Sequence, residues 1–243
     1  MMVSMEERRR GISMPDWGQD RVHVPGVGAR VWRLVALFGF VPVVLLILLL
    51  TGIDPFVVVG LLALYGLGVI GWLRAQGARV LRSVGAREGR PEEIARLENL
   101  IQGLAGDLDI ASPDLLVTDE AGPNALVAKR SGHIVVVTTD LATDFSRTEL
   151  EAVLAHCLVR IATDQVGTAQ VGLALGPLGA GLRGTTGTPE DVATAGLTRY
   201  PPALASAIEK CKPRGGRFAA LWFVAEGPTH APTDKRIVDL RDL

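Results

Sequence analysis

Two long apolar runs without a charged residue constrain this 243-residue chain more than any other feature. They occupy residues 34–50 and 56–73, and each is close to the shortest length that crosses the hydrocarbon core of a bilayer. Only residues 51–55 separate them, so two spans joined there would run antiparallel. Trp32 and Trp72 lie at their outer ends, where indole rings favour the membrane interface. The sequence predicts a transmembrane helical hairpin; a buried hairpin inside a soluble protein is the alternative.

The placement of arginine orients the predicted hairpin. Basic residues lie before and after the two apolar runs, whereas the turn between the runs has none. By the positive-inside rule, both ends of the hairpin are expected on the cytoplasmic side. We therefore predict an integral membrane protein in contact with the lipid bilayer, with both termini cytoplasmic. The arginines in question are Arg8, Arg9, Arg10, Arg21, Arg30 and Arg33 before the hairpin, and Arg74, Arg79, Arg82, Arg87 and Arg90 after it.

The overall composition fits a chain that is partly in lipid and partly in water. Hydrophobic residues make up 48% of it and charged residues 21%, which is too apolar for a soluble domain and too polar for a protein wholly in lipid. The formal net charge of −1 gives no support for nucleic-acid binding. Two cysteines, Cys157 and Cys211, cannot form a disulfide framework.

Four segments follow from these patterns. We predict a flexible tail at residues 1–33, the transmembrane hairpin at 34–73, a basic linker at 74–90 and a globular cytoplasmic domain at 91–243. The last segment mixes helix and strand signals, and helix signals predominate. The predicted fold class is therefore α+β, mainly helical, with an N-terminal transmembrane hairpin and a small β-sheet in the globular domain.

Local signals in the first half of the globular domain predict a helix and two strands. Pro91 and the two glutamates after it suit the first turn of a helix. Residues 114–118 and 133–139 are rich in β-branched side chains and predict strands. A turn is predicted between them at residues 120–124, which contain Gly, Pro and Asn.

The second half of the domain begins with its clearest helix. Ser146 and Glu149 form a capping box, and an apolar stripe follows them. The glycine-rich stretch at residues 167–187 is predicted to be a loop or a shallow membrane contact. Further helices are predicted from Pro189 and Pro201.

Six short motifs follow one another in this domain in the order found in one peptidase family. They are Pro123-Asn-Ala-Leu126, the strand from Ile134 to Thr139 with Asp140-Leu141, the helix from Glu149 to His156, Glu190-Asp-Val-Ala193-Thr194, the helix from Pro202 to Lys210, and the segment from Thr229 to Ile237. On these residues the chain resembles the membrane zinc metallopeptidases that include the heat-shock protease HtpX and the CAAX prenyl endopeptidases. The resemblance implies a metallopeptidase-like domain with a motif helix. It also implies that the protein is located in a bacterial cytoplasmic membrane.

The active-site motif of this family departs from its pattern here. The family carries H-E-x-x-H, in which two histidines bind one Zn²⁺ and the glutamate is the general base. His156 matches the first histidine, Cys157 stands at the general-base position, and Arg160 stands at the second ligand position. Glu190 matches the third ligand, whereas Thr194 replaces the aspartate that follows it. Because arginine stays protonated and cannot ligate a metal, the resemblance implies that no catalytic set is intact and that zinc is a cofactor only if the family activity is retained.

The altered residues suggest a specific arrangement. We hypothesise that Arg160 occupies the vacated zinc position and forms a bidentate pair with Glu190. In the alternative, Arg160 is solvated and Glu190 is only an acid at a helix N-terminus. Cys157 lies in the apolar stripe and is expected to be a core residue. His230 matches the family's terminal histidine and either lies near the cleft, where it could join His156 and Glu190 in a substitute metal site, or only holds the last turn.

The leading functional hypothesis is a membrane-anchored pseudopeptidase, a binding or regulatory module without zinc or proteolytic activity. Asn124, Ala125, Val135 and Val137 are the candidates for peptide binding, because the family's strand beside the motif helix can hold an extended peptide by edge pairing. An active protease or a membrane-protein client is the expected partner. The alternatives are an active zinc-dependent endopeptidase with altered ligands and a purely structural membrane protein with a closed cleft.

Overall fold

The computed structural model describes residues 27–183, 187–228 and 230–243. These residues confirm a mainly helical chain with one small sheet. The helices are α1 (Val27–Leu49), α2 (Pro55–Ser83), α3 (Pro91–Asp107), α4 (Thr139–Asp144), α5 (Arg147–Ala162), α6 (Gln165–Ala174), α7 (Ala180–Arg183), α8 (Thr188–Thr198), α9 (Pro201–Lys210) and α10 (Thr233–Arg241). The strands are β1 (Asp114–Thr118), β2 (Ala125–Lys129) and β3 (His133–Thr138).

Within the described ranges, α2 is the one helix long and apolar enough to cross a membrane. Its large apolar side chains face outward, and Phe56 is 86% exposed. Only 6% of its most apolar stretch is buried, whereas a core helix of a soluble protein buries such a stretch. The apolar part of α1, Phe38–Leu49, is shorter than a membrane span. The transmembrane hairpin as a whole therefore stays a prediction.

Helix α1 packs along α2. The Tyr65 hydroxyl donates a hydrogen bond of 2.8 Å to the Phe38 carbonyl, and the rings of Phe38 and Trp72 lie 6.1 Å apart. Because α1 begins at Val27, the last part of the predicted tail is helical. The rest of that tail, with Arg8, Arg9, Arg10 and Arg21, lies outside the described residues.

Helix α2 continues past the predicted end of the hairpin. It runs to Ser83, so most of the segment predicted as a basic linker, residues 74–90, is helical. No proline interrupts this segment before Ser83, and arginine and alanine are good helix formers. Val80 and Leu81, in the last turns of α2, are buried against the sheet, which favours continuation of the helix.

The sheet has the strand order β1-β3-β2. Strand β3 pairs in parallel with β1 and antiparallel with β2, so it is the central strand. The sequence predicts β1 and β3 at nearly these bounds but does not predict β2, whose residues directly follow the predicted turn.

The two faces of the sheet are covered by different helices. Alternate residues of a strand point to opposite faces. Val135 and Val137 belong to the core formed with α3, α5 and α9. Ile134 and Val136 face a second core formed with α6 and the last turns of α2. The sheet is thus buried between the motif helix α5 on one side and the end of the membrane-type helix α2 on the other.

The glycine-rich stretch is mostly helical, contrary to the prediction of a loop. Helix α6, a short 3-10 turn at Gly176–Gly179 and α7 occupy its described part, which excludes residues 184–186. The glycines allow close packing between these elements, because a Cβ atom added at Gly172 would lie only 2.7 Å from the carbonyl oxygen of Gly179. The glycine-rich composition predicts irregular structure here, whereas in the fold the small residues allow these helices to pack closely.

Candidate functional site

Helix α5 is the motif helix, and nearly all of it is buried. Its capping box forms as predicted: the Glu149 carboxylate accepts from the Ser146 amide at 2.9 Å, and the Ser146 hydroxyl accepts from the Glu149 amide. Glu149 also contacts Lys210 at 2.7 Å, which joins α5 to α9. Because the helix is buried on every side, its two polar motif residues, His156 and Arg160, lie inside the protein.

His156 is fully buried and lies beside an acid that the sequence does not single out. Its Nδ1 lies 3.2 Å from an Asp191 carboxylate oxygen. The ring meets the edge of Phe223, with the centroids 4.9 Å apart. Burial lowers the pKa of His156, and the positive charges of Arg236 and Arg160 lower it further against the opposing effect of Asp191. The imidazole is therefore neutral near pH 7.

Arg160, one helical turn after His156, is 1% exposed and is held by backbone carbonyls. Its Nη2 donates to Ala220 at 2.6 Å, and its Nη1 donates to Leu221 and Trp222 at 3.1 and 3.3 Å. These carbonyls belong to residues 219–224, a segment that we call the strap; it starts with a 3-10 turn at Ala219–Leu221. The last carbonyls of such a turn have no partner within it, so they offer a ready cluster of acceptors.

The predicted bidentate pair between Arg160 and Glu190 does not form. A bidentate pair needs both carboxylate oxygens of Glu190, and only one of them accepts a hydrogen bond from a described residue. Glu190 instead caps α8: its Oε2 accepts from the Gly187 amide at 2.8 Å, while its buried Oε1 has no hydrogen-bond partner among the described residues. Glu190 is therefore an acid at a helix N-terminus, as the alternative states. The other half of that alternative is wrong, because Arg160 is buried rather than solvated.

Asp191 is the acid that the sequence analysis missed. It is 2% exposed and forms a bidentate pair with Arg236, with two contacts of 2.7 Å. Arg236 also donates to the Phe223 carbonyl at 3.1 Å, so the pair ties α8 and α10 to the strap. Burial opposes ionisation of Asp191, but Arg236 outweighs it and keeps the pKa of this carboxyl below its usual range. One signal was available: Asp191 lies one turn before Thr194, on the face where the family pattern has its aspartate.

Cys157 lies in the hydrophobic core, 1% exposed. Burial raises the pKa of its thiol to about 12, although Arg160 acts in the opposite direction. The thiol is therefore protonated at neutral pH, as the prediction of a core residue requires.

His230 contacts the strap. Its Nε2 lies 3.1 Å from the Trp222 carbonyl oxygen, which also accepts from Arg160. The substitute metal site of His156, Glu190 and His230 is not assembled: the described part of the chain holds no group of three His, Cys, Asp or Glu side chains placed to bind a metal ion. The residues also do not fit zinc in chemistry, because the second ligand position carries a guanidinium that repels a cation.

The four predicted peptide-binding residues are all fully buried: Asn124, Ala125, Val135 and Val137. Strand β3 is central, so it has no free edge to offer a peptide. The outer edge of β2 is already occupied by the strap, because the Phe223 amide donates to the Ala125 carbonyl at 2.7 Å. Asn124 donates to the Val224 carbonyl at 2.7 Å and holds the strap in place. Edge pairing with a second chain at these residues therefore does not fit this geometry.

We expect stability to fall as the pH is lowered from about 6.5 to about 4. Burial lowers the pKa of His230 from 6.5 to about 4 in the folded chain. In this range the unfolded chain binds a proton that the folded chain does not, so acid favours unfolding. The full shift corresponds to roughly 3 kcal/mol.

The measurement is thermal unfolding in detergent, followed by the emission of buried tryptophan, at several pH values. His230→Gln should make the fall in stability between pH 6.5 and 4.5 less steep, and the buried His156, whose pKa is also lowered, should account for the dependence that remains. A native chain and variant with parallel pH profiles would contradict the prediction.

Comparison with known proteins finds no matching protein-family profile. Individual proteins do match. The chain is 39% identical over 93 residues to a protein named "Protease HtpX homolog" from Halobacterium salinarum, covering 38% of this chain and 32% of that protein. It is 37% identical over 79 residues to a protein of the same name from Dictyoglomus turgidum, covering 32% and 26%.

A longer match is with "Protease HtpX" from Erwinia tasmaniensis, which is 34% identical over 144 residues, or 56% of this chain and 49% of that protein. The chain thus spans between about a quarter and a half of the length of these curated relatives. Together the matches support the HtpX-like family that the motifs indicated.

Proposed function

We propose that this chain, an HtpX-like protein by its similarities, is a membrane-anchored pseudopeptidase that has lost zinc and proteolytic activity. The observation that carries the proposal is the state of Arg160. At the position that needs a second imidazole, a buried guanidinium donates to three backbone carbonyls. This group is permanently protonated, so it offers no lone pair to a metal and repels one.

The general base is also missing. A base must take a proton from water near neutral pH, and the Cys157 thiol, with a pKa of about 12, is already protonated there. Loss of a general base alone lowers a reaction rate by roughly 10²–10⁴-fold. With the second metal ligand lost as well, the proposal does not depend on one substitution.

The position of the strap favours a protein with a changed role over a protease of reduced activity. It lies against the edge of β2 beside the motif helix, and Arg160, Asn124 and Arg236 each hold it through backbone carbonyls. A regulatory or binding role therefore falls to surfaces outside the former cleft. Its partner is an active protease or a membrane-protein client, brought close by the shared bilayer.

The membrane anchor follows from α2, with α1 completing a hairpin. Because arginines lie on both sides of this pair of helices and none lies in the turn, both termini are on the cytoplasmic side, in a bacterial cytoplasmic membrane. The globular domain then lies in the cytoplasm, next to the bilayer.

The test is the metal content and the casein cleavage of the full chain, purified in detergent without chelator. We expect no stoichiometric zinc and no cleavage that a chelator abolishes. Zinc at one ion per chain that disappears in His156→Ala, together with chelator-sensitive cleavage, would overturn the proposal and favour an active peptidase with altered ligands.

A second variant asks whether the loss lies in the motif. Cys157→Glu combined with Arg160→His restores the family residues, and it should gain zinc if the remaining ligands are in place. Cys157→Glu alone is the matched control, because it adds the base but leaves the guanidinium. Removal of Arg160 also removes three hydrogen bonds, so folding of each variant is first checked by heating.

A further inference from the structure

A cavity of about 340 Å³ lies where α2 meets the globular domain. Its walls come from three parts of the chain: the last half of α2, the turn between β2 and β3, and the first turns of α6. It is separate from the motif helix and from the strap, so it is independent of the former active site. The residues that matter for its chemistry are the cations Arg74, Lys129 and Arg130 and the apolar side chains Ile70, Leu73 and Val171.

The walls of this cavity are firmly held together. The Gln170 side chain of α6 makes two hydrogen bonds with the backbone of Lys129: its Nε2 donates to the carbonyl at 3.0 Å, and its Oε1 accepts from the backbone N–H. These bonds join α6 to the β2–β3 turn. On the other side, α2 approaches the same turn at Gly77, where an added Cβ would clash with the Lys129 carbonyl oxygen. The cavity is therefore a built feature of the fold rather than a surface irregularity.

The charges in the cavity favour an anion. Three cations line it against a single carboxylate, Asp164, which contacts Lys129 at 3.2 Å. Arg74 and Arg130 are exposed, and neither side chain takes part in an ion pair or a hydrogen bond within the described residues. Two guanidinium groups without a protein partner at one cavity suit a phosphate, which binds the planar donor fork of arginine well.

The position of the cavity relative to the bilayer indicates where that phosphate comes from. Between Pro55 and Arg74, α2 rises about 29 Å at about 1.5 Å per residue. The hydrocarbon core of a bilayer is about 30 Å thick, so Arg74 lies at the level of the lipid headgroups when α2 spans the membrane. Trp72, two residues earlier, is typical of this interface. Ile70 and Leu73 continue from the cavity along the lipid-facing length of α2.

From these observations we propose that the cavity binds the phosphate headgroup of an anionic phospholipid. Arg74 and Arg130 contact the phosphate, Lys129 adds positive charge at the wall, and the acyl chains follow the apolar side of α2. Basic pockets at the cytoplasmic ends of membrane helices bind anionic headgroups in this way. A free phosphate ion would use the same cations but would gain nothing from the apolar wall. The inference rests on the proposed membrane span of α2, but it holds whether or not the chain is proteolytically inactive.

The experiment uses the full chain, freed of lipid in a neutral detergent and titrated with dioleoylphosphatidylglycerol or dioleoylphosphatidylcholine. Bound lipid is counted by native mass spectrometry. We expect one molecule of the anionic lipid to bind preferentially. Arg74→Gln with Arg130→Gln should weaken its binding about tenfold or more, because each cation near a headgroup contributes substantially to the affinity. Ser131→Glu, which adds a carboxylate at the exposed rim, should weaken it as well.

Arg82→Gln with Arg96→Gln is the matched control, since it removes the same charge from exposed positions outside the cavity. An equal loss of binding in this control would show that the anionic lipid is attracted by the positive charge of the protein as a whole, and it would overturn the proposed site. Equal binding of the two lipids would overturn it too. If millimolar inorganic phosphate displaces the anionic lipid as fully as excess lipid does, the site is one for a free anion and the lipid assignment fails.

Discussion

Replacing Asp191 with asparagine is expected to lower the free energy of unfolding by about 3–5 kcal/mol. The substitution leaves the shape of the side chain almost unchanged but removes the only negative charge that pairs with Arg236 among the described residues. Arg236 is 1% exposed, so its charge would remain in the interior without water or a counterion. An uncompensated buried charge is among the most destabilising changes that one substitution can make.

The readout is the temperature at which the two buried thiols, Cys157 and Cys211, react with a fluorogenic reagent. For a chain of this size a loss of 3–5 kcal/mol lowers the midpoint by roughly 6–20 °C. Glu209→Gln is the matched control, because it removes the same charge from an ion pair of 3.0 Å with Arg241 in which both side chains are more than half exposed. Exposed pairs contribute about 0–1 kcal/mol. Similar midpoints for the two variants would show that the Asp191–Arg236 pair is not a structural link.

Arg160→Leu is expected to destabilise the chain by about 3 kcal/mol. The leucine fills much of the volume, but the carbonyls of Ala220, Leu221 and Trp222 lose the donor that now joins them to α5. A buried acceptor left without a partner costs about 1–3 kcal/mol, and release of the buried charge offsets part of the total. Arg160→Lys should recover part of the stability, since lysine keeps the charge and three donors.

The pKa of His156 and the stability of a control variant distinguish the loss of Arg160 from an ordinary core substitution. In Arg160→Leu the pKa of His156 should rise, because the positive charge of Arg160 lowers it in the native chain; in Arg160→Lys it should change little. NMR titration of the histidines reports this directly. Arg96→Leu, at an exposed position on α3, is the control for stability. A His156 pKa that is the same in Arg160→Leu and Arg160→Lys would mean that the guanidinium does not govern this site.

Both predictions concern how the region around the motif helix α5 holds together. In the family pattern a metal ion cross-links the motif helix to the helix that bears the third ligand. Here Arg160 links α5 to the strap, and the Asp191–Arg236 pair links α8 and α10 to each other and to the strap. These contacts join the same region of the fold through hydrogen bonds and one ion pair. Arg160→Leu and Asp191→Asn should have the largest effects because each breaks several of these buried contacts at once.

The sequence predicted those parts of the fold that depend on neighbours along the chain. The capping box at Ser146 and Glu149 forms, α3 begins at Pro91 and α9 at Pro201, and strands β1 and β3 lie where β-branched residues cluster. Caps, helix-starting prolines and strand patterns act within a few residues, so they can be recognised without a structure. The departure of the motif at Cys157 and Arg160 is also a property of the sequence alone.

Only the tertiary structure decided which residues meet. The order β1-β3-β2 made β3 the central strand and gave the edge of β2 to the strap, which removed the predicted peptide site. Arg160 met carbonyls that lie about 60 positions later in the chain rather than Glu190, and Asp191 met Arg236. A buried charge takes whichever partners the packing of distant elements brings within 3 Å, and that packing is not encoded by any local pattern. The sequence determined that this site carries a cation where a metal ligand is expected, and the tertiary structure determined what holds that cation.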